Sequence, residues 1–182
     1  PSFALDPDKP NISSEDITTF LANFNVNGGW DSIRQVSTIV NVSLPNPSDI
    51  FRNAAQRRHR AAHNTEADSL LTDLIDYVSQ AKVIALGFDL LLSKSLKHIQ
   101  NNNQDFLNSI RKTEFSQLKF RFIVEVGSVW KEYKNNFSNV YRSSDSFDTL
   151  YNEAILRATH QAEILVIKSS ANKILNWHIT EL

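Results

Sequence analysis

The spacing of apolar residues changes near residue 104, and this change divides the chain. Before it, apolar residues recur every three or four positions, as in amphipathic helices. After the polar run Asn101 to Gln104, some segments alternate with a period of two, as half-buried strands do. We therefore expect an extended leader over residues 1–11, a helical domain over residues 12–104 and a small α+β domain over residues 105–182. This organisation predicts a mainly α fold, in which a helical bundle is followed by a small C-terminal α+β unit.

Four helices are predicted between residues 12 and 100. Ser13 and Asp16 are spaced as in a capping box, and apolar residues at helical spacing follow them. A second short helix is predicted after a break at two glycines. The segment from Ser48 to His63 contains no helix breaker and many strong helix formers, so it predicts a third helix. The fourth covers residues 66–100, and we expect Gly87 to allow a kink in it.

The fourth predicted helix carries a row of apolar residues that are spaced alternately by four and three positions. The row consists of Ala67, Leu71, Leu74, Val78, Ala81, Ala85, Phe88 and Leu92. We expect it to pack in the core of the chain itself, with an interface to a partner as the alternative.

The C-terminal part predicts a small sheet and one helix. Residues 120–126 alternate between apolar and polar side chains, which predicts a strand, and residues 147–162 show helical spacing. Residues 163–168 and 173–179 predict two further strands around a turn. Three aromatic residues of this part either fill the core of the sheet or stack on nucleic acid bases, namely Trp130, Tyr133 and Trp177.

The composition excludes several classes of protein. With no cysteine in 182 residues, the chain has no disulfide, zinc ribbon or cysteine nucleophile, and we expect it to be cytoplasmic. No segment is apolar enough for a membrane span, and no signal peptide is recognisable. The net charge of -1 gives no general attraction to nucleic acid, so any RNA site must be local. Because the sequence starts at Pro1 and contains no methionine, we expect an N-terminal region that precedes it.

The segment with the most information about function is Arg58-His59-Arg60-Ala61-Ala62-His63, near the end of the third predicted helix. An arginine, a polar residue directly after it and a histidine five positions beyond the arginine form the signature of the HEPN superfamily of ribonuclease domains, which this segment resembles. The segments Asp73 to Asp76 and Ala85 to Leu91 are similar to the long helix that follows the motif in that family. The resemblance covers about residues 12–100 and implies a HEPN-like helical bundle.

The resemblance implies a metal-independent endoribonuclease, and it suggests the effector part of a defence or toxin protein. His63 is the candidate base that takes the proton from a ribose 2′-hydroxyl, since imidazole has an unperturbed pKa of about 6.5. Arg58 is the candidate for neutralising the charge that develops on the scissile phosphate. Attack by the 2′-hydroxyl leaves a cyclic phosphate.

Such a site is expected to need two copies of the chain. Residues five positions apart on a helix point about 140° away from each other, so Arg58 and His63 of one chain need not meet on one phosphate. In the family, two motifs approach each other across a dimer, and the resemblance implies a homodimer here. His59 lies one turn from His63 and is the third candidate catalytic residue. The candidate RNA-binding residues are Arg57, Arg60 and Asn64.

This sequence departs from the commonest family pattern at two positions. His59 stands where asparagine is frequent, and Asn64 stands where glycine is common. The departures keep open a second hypothesis, a non-catalytic HEPN module that dimerises and binds RNA or a partner of a larger protein. A third hypothesis is an interaction domain whose motif is coincidental, since arginines and histidines on a helix most often form a solvated polar face.

A metal site at the same residues is a less favoured alternative. His59 and His63 are spaced by four positions, as paired metal-binding histidines on helices are. The neighbouring arginines disfavour a divalent cation, and no acidic ligand stands at a motif spacing. We therefore expect neither a metal nor another cofactor.

Overall fold

The computed structural model describes residues 12–63 and 71–180, with the backbone alone at residues 59–63, 71 and 72. The helices are α1 (Ser14–Asn23), α2 (Gly29–Ile39), α3 (Pro47–His63), α4 (Leu71–Gln100), α5 (Gln104–Leu107) and α6 (Phe147–Gln161). The strands are β1 (Phe120–Val126), β2 (Val129–Lys134), β3 (Val140–Ser144), β4 (Ile164–Lys168) and β5 (Ile174–Ile179). The predicted leader, residues 1–11, lies outside the described residues.

The described residues form two compact units. The N-terminal unit contains the chain up to Val36 together with Leu44–Thr113. The C-terminal unit contains Ser37–Ser43 together with the chain from Glu114 onward. The N-terminal unit is helical, whereas all five strands belong to the C-terminal unit.

The first helix begins where the sequence predicts it. The Asp16 amide donates to the Ser13 hydroxyl oxygen at 3.2 Å, and the Ser13 amide donates to the Asp16 carboxylate at 2.8 Å. This reciprocal pair satisfies two amides at the helix terminus that have no partner within the helix. The capping box predicted from the sequence is therefore confirmed.

Helix α4 buries a different face from the predicted one. Its fully or almost fully buried apolar residues are Val83, Ile84, Leu86, Leu90 and Leu91. Within the predicted row, Leu74, Val78 and Ala85 are exposed, so the expectation that they lie in the core of the chain was wrong. A row with a mean spacing of 3.5 residues drifts around a straight helix of 3.6 residues per turn, so it does not stay on one buried face.

Gly87 brings two helices close together. An added Cβ at Gly87 would lie 3.1 Å from both Cγ atoms of Ile33 and 3.2 Å from its Cα. Ile33 belongs to α2 and is fully buried, so the crowding involves backbone as well as side chain. Helix α4 runs without interruption from Leu71 to Gln100. The absence of a side chain at Gly87 allows α2 to approach α4 closely at Ile33.

Gly87→Ala is expected to lower the free energy of unfolding by about 1 kcal/mol. Helix propensity alone would raise it by about the same amount, but overpacking against Ile33 costs about 1–3 kcal/mol. Urea denaturation of the two proteins measures the difference. Ala85→Gly, at an exposed position of the same helix, is the control for propensity alone. A stabilised Gly87→Ala protein would contradict the close contact.

The C-terminal unit is built on a mixed sheet with strand order β3-β2-β1-β4-β5. β1 and β4 are parallel neighbours, and the other three pairs are antiparallel. Helix α6 joins β3 to β4 and packs on one face of the sheet. The core between them contains Ile123, Leu150, Ala154, Ala158, Leu165 and Ile167. Trp130 contacts Phe147 at the edge of this core, with ring centroids 4.7 Å apart.

A short segment after α2 is held to the sheet by two side chains. The Lys168 ammonium donates to the Val40 carbonyl, and the Asn172 amide donates to the Asn41 carbonyl at 2.6 Å. Lys168 is fully buried, and this burial lowers its pKa to about 8. The segment thus belongs to the C-terminal unit although it lies early in the sequence.

The prediction of a mainly α fold, a helical bundle with a small α+β appendage, was wrong. The described chain is about 54% helical and 20% strand, with a five-stranded sheet, which is an α+β fold. The sequence analysis identified β1, β4 and β5 but neither β2 nor β3. These two strands carry several charged and polar residues and show no clear alternation of buried and exposed positions.

Candidate functional site

The motif from Arg58 to His63 lies on the last part of α3. The helix begins at Pro47, a residue suited to a first turn, and the Asp49 amide donates to the Asn46 side chain at 3.2 Å. From there the sequence contains no breaker, and the helix continues to His63 as its final residue. The backbone therefore presents the motif as predicted, on one helix and at its C-terminal end.

Arg57 joins the end of α3 to the beginning of α4. Its guanidinium lies 3.0 Å from the Asp73 carboxylate, and both side chains are about half exposed. An ion pair in this setting contributes at most about 1 kcal/mol, because water screens the two charges and both side chains lose freedom. Arg57, one of the predicted RNA-binding residues, is thus engaged by a carboxylate that a phosphate could replace at low cost.

Arg58 is exposed on α3. Within the part of the chain that the structure describes, it forms no ion pair or hydrogen bond through its side chain. The side chains of His59, Arg60 and His63 lie outside the described part, as does the whole of Asn64. The structure therefore brings all the predicted catalytic residues onto one helix and describes one of their side chains, that of Arg58.

An exposed apolar patch lies at the start of α4. It consists of Leu74, Ile75 and Val78, whose exposed fractions are 49%, 46% and 57%. Asp73, the partner of Arg57, directly precedes the patch along the chain. Large apolar side chains that are grouped and exposed mark surfaces that bind partners more often than single ones do.

Comparison with known proteins gives no relative. The chain matches no family model, no curated protein and no solved structure.

Among residues 12–63 and 71–180, no helix is both long and apolar enough to cross a membrane. In the same ranges, no three side chains of histidine, cysteine, aspartate or glutamate are grouped so that they could hold a metal ion.

A buried ionic network in the C-terminal unit was missed by the sequence analysis. Arg121 on β1 contacts the carboxylates of Glu132 and Glu163, and its side chain is fully buried. Its Nη2 atom lies 2.6 Å from Glu163 Oε2, without hydrogen-bond geometry, while its Nε donates to the same oxygen at 2.7 Å. Arg157 on α6 also binds Glu132, with Nη2 at 2.6 Å from Oε2.

The alternation over residues 120–126 predicts a half-buried strand with Arg121 on its exposed face, and this prediction was wrong. Four consecutive residues of β1, Phe120 to Ile123, are buried. Helix α6 packs on the face of β1 that carries Arg121 and Ile123, and Phe137 contacts Phe122 on the other face, with ring centroids 4.4 Å apart. The sequence contains one signal for the ion pair, since Arg121 and Glu132 lie on two segments that a hairpin could pair. This signal can be used only if β2 is first recognised as a strand.

Proposed function

We propose that this protein is a metal-independent endoribonuclease that acts as a homodimer through the motif on α3. Arg58 binds the scissile phosphate, His63 is the general base, and His59 orients His63 or the phosphate. Arg57, Arg60 and Asn64 contact the RNA backbone. We infer a cytoplasmic location from the cysteine-free composition, and a role as a defence or toxin effector from the resemblance of the motif.

The observation that carries this proposal is the exposed Arg58 on a helix that ends at His63. A guanidinium that is exposed and has no carboxylate partner within the described chain is available to a phosphate. Arg57 adds a second positive charge one residue away, and its bond to Asp73 is of the weak, exposed kind. The end of α3 therefore offers local positive charge in a chain of net charge -1.

A second copy supplies what one helix lacks. Arg58 and His63 of the same helix point in directions about 140° apart, so a composite site between two copies allows both groups to reach one phosphate. The exposed patch of Leu74, Ile75 and Val78 gives a second copy an apolar surface close to the motif. A two-fold interface through this patch would place two copies of α3 near each other.

The reaction needs only these groups and the RNA. His63 accepts the proton of the 2′-hydroxyl, and the 2′ oxygen forms a bond with phosphorus. The bond between phosphorus and the 5′ oxygen breaks, and that oxygen takes up the proton that the His63 imidazolium returns, which regenerates the neutral base. Arg58 neutralises the charge that accumulates on the phosphoryl oxygens. The products are a 2′,3′-cyclic phosphate and a 5′-hydroxyl end.

The test is cleavage of a labelled RNA pool by the purified chain in the presence of EDTA. We expect cleavage with cyclic phosphate ends, and we expect His63→Ala to lower the rate by about 100-fold or more. His160→Ala is the matched control, because His160 is an exposed histidine in the last turn of another helix, α6. Circular dichroism shows whether each variant keeps its fold.

Two results would reject the proposal. One is cleavage that persists unchanged in His63→Ala and in Arg58→Ala. The other is a dimer that binds RNA and never cleaves it, which is the behaviour of a non-catalytic module.

A further inference from the structure

A β-bulge in the C-terminal unit directs one tyrosine out of the regular register. Glu132 pairs with Arg142 and Tyr133 pairs with Val140, so Tyr141 is an extra residue of β3. A bulge bends its strand and changes the direction of the side chain it carries. β3 is an edge strand of the sheet, and 38% of Tyr141 is exposed.

Four cationic side chains surround the ring of Tyr141. The Lys134 ammonium lies 4.3 Å from the ring centroid, and the guanidinium carbons of Arg142, Arg121 and Arg157 lie at 5.3, 5.5 and 5.9 Å. Each distance is within the range of a cation–π contact. Four cationic groups therefore lie around one aromatic ring.

Carboxylates balance only part of this charge. Arg121 lies between Glu132 and Glu163, and Arg157 contacts Glu132 and also Glu153. Lys134 and Arg142 form no ion pair within the part of the chain that the structure describes. Four cations against three carboxylates leave a positive excess, and it is located on these two residues.

The two unbalanced cations can be reached from solvent. Arg142, on the edge strand β3, is exposed, and Lys134, at the end of β2, is partly buried. Behind them the buried carboxylates fix Arg121 and Arg157 in place. The surface therefore consists of two cations, Lys134 and Arg142, beside a buried ionic network that holds Arg121 and Arg157.

We propose that this surface, the Tyr141 cluster, binds a phosphate of the RNA backbone. A guanidinium and an ammonium recognise phosphate by charge and by donated hydrogen bonds. Such contacts to phosphate carry no information about the base sequence. The cluster would hold RNA independently of sequence, while cleavage takes place at the motif on α3. The choice of RNA as the ligand rests on the proposed function, although the positive excess itself does not.

The test measures the affinity of the full chain for a fluorescein-labelled 20-residue oligouridylate by fluorescence anisotropy in EDTA. All proteins carry His63→Ala, so that the probe stays intact. We expect Lys134→Gln combined with Arg142→Gln to weaken binding about 10- to 30-fold near 0.1 M salt, since each phosphate contact on a single strand contributes about 0.7 to the salt exponent. The slope of affinity against salt should fall in the same variant.

Lys131→Gln combined with Lys173→Gln is the matched control. Lys131 lies on β2 at a position of opposite side-chain orientation from Lys134, and Lys173 lies in the turn before the other edge strand. This control changes the net charge by the same amount and should bind nearly as tightly as the parent. Circular dichroism melting checks that both double variants keep their fold.

The failure of this proposal can be distinguished from that of the proposed function. Equal affinities of the two double variants would overturn the Tyr141 cluster as an RNA site and leave the cleavage result standing. Binding of polyglutamate but not of oligouridylate would also overturn it, in favour of an acidic protein partner. If the selective loss of RNA affinity is found in a chain that never cleaves RNA, the cluster stands and the proposed function falls.

Discussion

Glu132→Gln is expected to destabilise the C-terminal unit by about 3–5 kcal/mol, the loss that follows when one partner of a buried ion pair is removed. Glu132 is fully buried and binds two guanidiniums, those of Arg121 and Arg157. Glutamine has nearly the same shape but no charge, and one of its two terminal atoms is a donor. Whichever oxygen the amide nitrogen replaces, at least one guanidinium N–H then faces a donor in place of an accepting oxygen.

A second carboxylate on the same arginine provides the control. Glu153 contacts Arg157 at 3.0 Å, and its side chain is 57% exposed. Because water replaces an exposed partner, Glu153→Gln should cost no more than about 0.5 kcal/mol. The two substitutions make the same chemical change near the same guanidinium, so burial is the main difference between them.

Tryptophan fluorescence during urea denaturation measures the stability of the C-terminal unit. The chain has three tryptophans, and Trp130 and Trp177 belong to the C-terminal unit. In a Trp30→Phe background, the remaining fluorescence reports this unit alone. If Glu132→Gln and Glu153→Gln shift the transition equally, the network makes no special contribution to stability.

The elements that sequence analysis predicted well are those with local signals. The capping box at Ser13 and the unbroken run of helix formers before His63 are contained in a few neighbouring residues. Such signals operate before any tertiary contact forms, so they can be read from one segment. The motif at Arg58 was singled out for the same reason, as a short pattern on one helix, and its function stays a prediction.

The elements that were missed depend on residues far apart in the sequence. β2 and β3 carry charged side chains, and the sequence alone predicts that such side chains are solvated. Their partners on β1 and α6 are known only once the fold is known. Arg121 is buried between Glu132 and Glu163, which lie 11 and 42 positions later in the sequence. The Tyr141 cluster has the same origin, since it needs a bulge and cations from three strands and one helix.

The apolar row on α4 was also misplaced, because the surface that packs against it cannot be identified from the sequence. Its periodicity predicts a packed seam, but periodicity does not identify the surface that packs against it. Leu74 and Val78 are exposed in a single chain. Their exposure favours the alternative interpretation of the row, an interface to a partner. In the proposed dimer, a second copy of the chain would cover them.

An equal mixture of Arg58→Ala and His63→Ala proteins, allowed to exchange subunits, is expected to recover about a quarter of the parent activity. In a two-fold dimer, each composite site takes Arg58 from one copy and His63 from the other. Half of the dimers in the mixture are then mixed, and one of the two sites in each mixed dimer has both groups. Each variant alone should be lowered by about 100-fold or more, so the recovery is easy to detect.

The control mixes His63→Ala with the double variant that lacks both groups, which can form no complete site and should stay inactive. Light scattering shows whether the proteins are dimers, and affinity tags of two kinds show that subunits exchange. No recovery among exchanging dimers would mean that Arg58 and His63 act from the same copy, against the composite site. Because recovery needs both a dimer and a shared phosphate, it separates a composite catalytic site from a single helix that merely carries exposed charge.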